Sequence, residues 1–311
     1  MKHVMNKDKT FGQRIKKDFK MYGSLYLMMI PILIYFILFH YLPMYGVTIA
    51  FQDYRPALGF SGSNWVGFKH FERFFASPNF WQLIRNTFRI SLTSLVFGFP
   101  APIILALLLN ELKSAKLGKV IQNFTYIPHF ISMVVACSIV RLFTADTGMI
   151  GSLYNSITGS SGNMLNDAEN FIPIYVISGI WKEVGWGSII YLAALTGIDQ
   201  SLYEAAEVDG AGKFRKLIHI TLPGIIPTIV IMLIMRMGSL LSVGYEKVLL
   251  LENALTRDVS EIISVYNYRL GLVNQQYSFS AAVGLFNTII NLIFVQSANL
   301  ISRKVNGYGL W

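Results

Sequence analysis

Residues 199–223 read DQSLYEAAEVDGAGKFRKLIHITLP, the longest strongly polar interval between two apolar runs of the chain. Ser201-Leu202-Tyr203-Glu204 has the form of a capping box, with Ser201 as N-cap and Glu204 at N3. Tyr203 to Val208 then favours a short helix, because Ala and Glu are strong helix formers. Asp209-Gly210 stops it, since glycine reaches the left-handed geometry beyond a helix end without a Cβ clash. Lys213 to Ile220 spaces Phe214, Leu217 and Ile218 at i, i+3 and i+4, which predicts a second short helix with one apolar face, closed by Pro223. Small Ala205 and Ala206 permit close approach of another protein surface, and Glu204 is placed to pair with a basic group on it. Two short helices at an angle, held at a membrane surface, make a docking element.

The flanks of this stretch decide the class. The 311 residues are 53% hydrophobic and 14% charged, with a mean hydropathy of +0.49. A soluble domain carries roughly 25% charged residues. The deficit is gathered into long apolar runs, and a spanning helix needs ~20 such residues. Six segments meet or approach that length: Ser24–Leu42, Ile90–Asn110, Tyr126–Phe143, Phe171–Gly197, Gly224–Val243 and Phe279–Ile301. Backbone groups in hydrocarbon must be bonded within the segment, so all six are expected as helices. The fold class is therefore all-α and polytopic: six transmembrane helices carrying one polar loop. The first run lacks a small-residue cleavage site and is read as a retained span.

Lys and Arg placement sets the orientation. With the N-terminus in the cytoplasm, that side holds Lys2, Lys7, Lys9, Arg14, Lys16, Lys17 and Lys20 of the tail. It also holds Lys113, Lys116, Lys119, then Lys213, Arg215, Lys216, and finally Arg303 and Lys304. The opposite loop 144–170 has no basic residue. Both termini are thus expected in the cytoplasm, together with residues 199–223. The net charge of +9 reflects this membrane orientation and calls for no nucleic acid. The organisation expected is a basic tail (1–22), a first span with an outer interfacial loop (23–85), a membrane core (86–302) and a cytoplasmic tail (303–311). In the outer loop, Phe68, Phe71, Phe74, Phe75, Phe80 and Trp81 mix with Lys69, Arg73 and Arg85. They read as one or two helices in the outer interface, or as an aromatic belt flanking the second span.

Ionisable residues within spans cost on the order of 2.5–3.5 kcal/mol and so mark functional candidates. Lys182 and Glu183 fall near the middle of the fourth span, flanked by Trp181 and Trp186. Indole faces with a few charged groups suit stacking on sugar rings, so these four residues are candidates for a substrate pathway; a structural ion pair is the alternative. Adjacent helix positions point about 100° apart, so Lys182 and Glu183 are expected to have separate partners. Arg236 in the fifth span is either functional or paired. His40 and His129 stand alone, without a second ligand at fixed spacing, so no metal site is expected. Cys137 sits in an apolar run as a packing residue. There is no G-x-x-x-x-G-K-[ST] phosphate loop and no clustered nucleophile and base, so no catalytic residues are assigned.

Glu204-Ala205-Ala206, Asp209-Gly210-Ala211, Ile220 and Leu222-Pro223 resemble the EAA loop of ABC importer permeases, most closely the carbohydrate permeases of the maltose-transporter kind. Phe80-Trp81 to Asn86-Thr87, Tyr126-Ile127-Pro128 and Gly179-Ile180-Trp181 to Leu192-Ala193 are similar to other parts of that family. Tyr41-Leu42-Pro43-Met44-Tyr45-Gly46 and the terminal Asn306-Gly307-Tyr308-Gly309-Leu310-Trp311 resemble the branch that handles oligosaccharides from complex polysaccharides. Many relatives carry proline just before the loop helix, where this chain has Asp199-Gln200; Asp can cap a helix start, so the helix should survive.

The resemblance implies that Tyr203, Glu204, Ala205, Ala206, Asp209, Gly210, Ala211, Leu222 and Pro223 couple the chain to an ATPase. It implies a non-enzymatic permease subunit in a bacterial plasma membrane. This chain would bind no cofactor, with ATP and magnesium on a separate ATPase dimer. A sister permease, forming a heterodimer, and an extracellular sugar-binding protein would complete the assembly among membrane lipid. The expected cargo is an oligosaccharide. The rivals are a permease for an amino acid or peptide, an ion-coupled secondary transporter, for which only Glu183 supplies a mid-span carboxylate, and a membrane-embedded enzyme.

Overall fold

The computed structural model describes residues 11–242, 244–307, 309 and 310. Lys2, Lys7 and Lys9 of the basic tail, and Tyr308 and Trp311 of the terminal motif, lie outside the described residues. The helices that organise the chain are α1 (Phe11–Phe36), α2 (Phe80–Gly98), α3 (Pro100–Asn110), α4 (Ala115–Tyr126) and α5 (Met133–Thr144). They continue with α6 (Ala168–Thr196), α7 (Gln200–Val208), α8 (Leu222–Met237), α9 (Tyr245–Leu251), α10 (Ile263–Tyr268) and α11 (Tyr277–Asn306). A two-stranded antiparallel ribbon, Gln52–Asp53 against Asn64–Trp65, is the departure from an all-helical chain among the described residues.

Among the described residues, five helical stretches are long and apolar enough to cross a membrane: Asp18–Phe51, Phe80–Asn110, Met133–Thr158, Lys213–Met237 and Tyr277–Lys304. They overlap the first, second, third, fifth and sixth expected spans. The fourth expected span, α6, is less apolar, with Lys182, Glu183 and three glycines along its 29 residues. Other helices surround it. Phe171, Ile172 and Tyr175 pack with Ile90 of α2, Cys137 of α5, Val248 of α9 and Val265 of α10. Towards the other end, Tyr191 and Leu195 pack with Ile103 and Ala106 of α3 and Ile225 of α8. A helix enclosed by protein can be less apolar than one facing lipid, and α6 is the spine of this bundle.

Close approach to α6 depends on two glycines. A Cβ on Gly185 would stand 2.1 Å from the Thr125 carbonyl oxygen of α4, and one on Gly187 would stand 3.0 Å from Pro102 Cγ of α3. Gly185→Leu should therefore destabilise the chain by about 3 kcal/mol, the upper end of the usual cost of overpacking, because the clash is with backbone. A lowered melting temperature of the detergent-solubilised protein would register this; an unchanged one would rule out the α4–α6 contact.

Two expected helices differ in the structure. The third span is broken rather than continuous from Tyr126: a 3-10 turn, Ile127–Phe130, contains Pro128, Ile131 is extended, and Ser132 caps α5 by accepting from the Val135 amide. Proline supplies no N–H, so the helical ladder cannot run through this point. The second short loop helix is likewise not separate. Lys213–Lys216 passes through a π turn, Leu217–Thr221, directly into α8. Pro223 does not close the run, because the wider π register absorbs the hydrogen bond that proline lacks.

In the outer-loop region Lys69–Phe75 forms a separate helix after a single turn at Gly59–Gly62, while Phe80 and Trp81 begin α2. Its aromatic residues divide by environment: Phe74 is fully buried against Phe80, Phe279 and Phe286, whereas Phe68 is exposed. Lys69 pairs with Asp53 at 2.7 Å and holds that carboxyl below the usual range. Asn86 donates to the carbonyls of Asp258 and Glu261, and Thr87 accepts from the Ile263 amide, so α2 anchors the segment that leads into α10.

Candidate functional site

Helix α7 begins two residues earlier than its capping box predicts. Asp199, not Ser201, is the N-cap, and its carboxylate accepts from the Ser201 amide at 2.9 Å. That bond holds the Asp199 carboxyl below the ordinary range. An aspartate one residue ahead of the first helical position is the better-placed acceptor. At the other end Gly210 has φ +71°. Its amide donates to the Glu207 carbonyl at 3.0 Å, and the Ala211 amide donates to Ala206 at 2.8 Å. These are the two bonds of a Schellman motif, in which the left-handed residue is nearly always glycine.

Two side-chain bonds brace α7 to the start of α8. The Tyr203 hydroxyl meets Thr221 Oγ1 at 3.0 Å, and Lys216 Nζ donates to Glu207 Oε1 at 3.0 Å. Thr221 is buried while Glu204, Ala205 and Asp209 face outwards. Val208 is 89% and Phe214 73% exposed, so this loop shows apolar surface that the chain itself leaves uncovered. Leu222 and Pro223 lie within the helix that links the loop to the bundle.

The second site forms where the third span breaks. Lys182 is buried and donates from Nζ to the His129 carbonyl at 2.9 Å. Glu183 Oε2 lies 2.8 Å from His129 Nδ1, and its other oxygen lies 3.3 Å from Lys182 Nζ. The His129 ring stacks on Trp186, centroids 4.5 Å apart and planes within 1°, with Phe130 edge-on to the indole. Lys182 and Glu183 therefore share one partner residue, against the expectation of two. His129 offers a backbone carbonyl and a ring, and both long side chains converge on it. His129 is not isolated either; its relevance follows from Pro128, whose break in the helix leaves a carbonyl for Lys182 to satisfy.

Trp181 is partly exposed and joins no ring contact among the described residues. Lys247 of α9 donates to the Tyr175 carbonyl at 2.5 Å and lies 4.4 Å over that ring, one turn from Gly179. Arg236, at the end of α8, is exposed and forms no ion pair among the described residues. No group of three or more metal-ligating side chains occurs among the described residues.

Residues 98–307 match the family described as binding-protein-dependent transport system inner membrane component. The chain belongs to that family. It is a permease subunit of the ABC importer class. Protein LplB of Bacillus subtilis is 50% identical over 92% of this chain and 91% of its own length. The polygalacturonan/rhamnogalacturonan transport system permease protein YteP of the same organism is 48% identical over 92% of this chain and 90% of its own. A crystal structure of a bacterial alginate ABC transporter, in complex with an alginate pentasaccharide-bound periplasmic protein, superposes with a TM-score of 0.87 at 41% identity. That match covers 96% of this chain and 100% of the other.

Proposed function

We propose that this permease imports an acidic oligosaccharide, handed over by an extracellular binding protein and driven by a separate ATPase dimer docked on α7. Six spans carry it, with α6 as the fourth in chain order; its 29 residues reach about 43 Å at the helical rise of 1.5 Å per residue. Both termini and the 199–221 loop lie in the cytoplasm, where basic residues concentrate. Tyr203, Glu204, Ala205, Ala206, Asp209, Gly210, Ala211, Leu222 and Pro223 form the coupling element. ATP and magnesium belong to the partner, and a second, different permease completes the pore.

The observation that carries the cargo class is a charge imbalance. Along α6 and the helices packed on it, the cations Arg141, Lys182, Arg236 and Lys247 outnumber the carboxylates Glu183 and Glu246. Charged side chains at membrane depth face a protein interior or a water-filled cavity, and an excess of cations there favours an anion passing through. The alginate and polygalacturonan named for the relatives are both polyuronates, which is consistent with that excess. Trp186 and Trp181 add indole faces of the kind that stack on sugar rings.

The test is uptake into proteoliposomes holding the complete assembly, comparing di- to pentameric uronates (oligogalacturonates and alginate oligomers) with neutral oligosaccharides of equal length. ATP-dependent accumulation of uronates alone is expected. Equal uptake of neutral sugars would overturn the acidic cargo, and accumulation without ATP would overturn the importer mechanism.

A further inference from the structure

A hollow of about 360 Å³ opens between α9, α10 and α11, away from the His129 cluster and lined by Tyr245, Asn267, Tyr268, Ser280, Gly284 and Asn287 among others. It is within the size range of small-ligand sites, roughly 300–1,000 Å³. Tyr245 and Tyr268 stack at 5.3 Å and 24°, forming an aromatic wall. Asn267 accepts from the Ser280 hydroxyl at 2.7 Å, which orients its amide, yet its Nδ2 donates to nothing among the described residues. Asn287 makes no side-chain hydrogen bond among them, and its Oδ1 is shut off from solvent without a donor. A buried polar atom left idle costs about 1–3 kcal/mol, so Asn287 Oδ1, beside two amide nitrogens that donate to nothing among the described residues, needs an explanation.

The floor is specialised as well. Arg269–Val273 is a π turn, and the non-glycine Gln275 that follows has φ +56°. π turns and left-handed non-glycine residues gather at functional sites. Glu252 and Glu261 both grip Arg269 and so fix this turn in place. Helix α9 connects the two regions, with Tyr245 in the hollow and Lys247 against α6 two residues later.

We infer that the hollow is a subsite for one pyranose ring of the cargo, stacked on Tyr245 and Tyr268 with its hydroxyls accepting from Asn267 Nδ2 and Asn287 Nδ2. An aromatic wall beside free amides, without a charged side chain, suits the neutral faces of a sugar ring. The carboxylates of the oligomer would be met elsewhere, by the cations around α6. This inference rests on the oligosaccharide reading above.

Gly284 provides the test, because a Cβ there would meet Asn267 Nδ2 at an ordinary 3.5 Å and longer side chains would enter the hollow. In the reconstituted assembly, Gly284→Met and Asn267→Ala should each raise KM for tetragalacturonate or the alginate tetrasaccharide about tenfold, the loss of one to two hydrogen bonds. Tyr268→Phe, which keeps the stacking face, should shift KM far less than Tyr268→Ala. The effect should fall on KM rather than kcat. Unchanged KM in both Gly284→Met and Asn267→Ala would overturn the subsite. So would loss of the sister permease from purified Gly284→Met complexes with KM unchanged in Asn267→Ala, since the hollow would then be a subunit contact. Absence of oligosaccharide uptake by the wild-type assembly would instead sink the cargo reading on which the subsite rests.

Discussion

Gly210→Pro is expected to yield a chain that inserts in the membrane at normal levels and loses ATP-driven uptake by about a hundredfold or more. The native φ of +71° is closed to proline, whose ring fixes φ near −65°. The substitution also removes the amide that donates to Glu207, and it displaces the Ala211 amide from Ala206. Both C-terminal bonds of α7 are lost together, at a combined cost of about 3 kcal/mol when each contributes 0.5–1.5 kcal/mol and the backbone strain is added. A helix of nine residues has little else to hold it. The Tyr203–Thr221 and Glu207–Lys216 braces then lose their geometry, so force applied to α7 no longer reaches α8. The bundle core is remote from this turn, which is why insertion should survive. Glu204→Lys tests the same surface from its chemistry: Glu204 is exposed, and reversing a charge at a docking surface opposes its partner. Uptake and binding-protein-stimulated ATP hydrolysis are the readouts. Full transport by either variant would show that α7 does not couple the two subunits.

The parts of this fold that were legible in the sequence are those governed by local chemistry. Five apolar runs, the glycine stop after α7 and the capability of Asp199 as a cap all follow from residue type and spacing. The errors come from a neighbouring residue or turn outside the window read, or from a contact across the bundle. Ser201 looks like an N-cap in a window of four residues, but Asp199 caps the helix two residues earlier by accepting from the Ser201 amide. Pro223 looks like a terminator until the π turn at Leu217–Thr221 is known. His129 carries no signal in isolation. Its neighbour Pro128 was the available clue, because a proline inside an expected span marks a break in the helix, and a break leaves carbonyls that need a donor from another helix. Periodicity could not have found that donor, since Lys182 lies 53 residues away on α6. The hollow beside α11 was invisible for the same reason: its asparagines look like ordinary polar residues until their hydrogen bonds are followed.

Lys182→Met should separate the structural role of that lysine from its role towards cargo. Its ammonium satisfies the carbonyl that the break after Pro128 releases, and its removal leaves that oxygen without a donor, at about 1–3 kcal/mol. The pairing with Glu183 adds less, because that carboxylate is half exposed and screened. A loss of stability near 2 kcal/mol is therefore expected, read as a lower melting temperature in detergent. Methionine fills a similar volume, so packing around α6 should change little. Lys182→Arg keeps the charge and the donor, though in a planar fork that the site was not built for, and should recover part of the stability. Transport divides the two roles further. If Lys182 only seals a broken helix, Lys182→Met and Lys182→Arg should reduce uptake in proportion to the folded assembly recovered. If it also meets the carboxylates of the cargo, uptake per folded assembly should fall about tenfold for Lys182→Met and much less for Lys182→Arg, as expected for loss of a charge-assisted hydrogen bond. Adding Glu183→Gln to Lys182→Met removes the carboxylate left facing the cargo and should restore part of that uptake. Uronate uptake by Lys182→Met equal to wild type, per folded assembly, would remove Lys182 from the pathway and leave it as the seal on the broken third span.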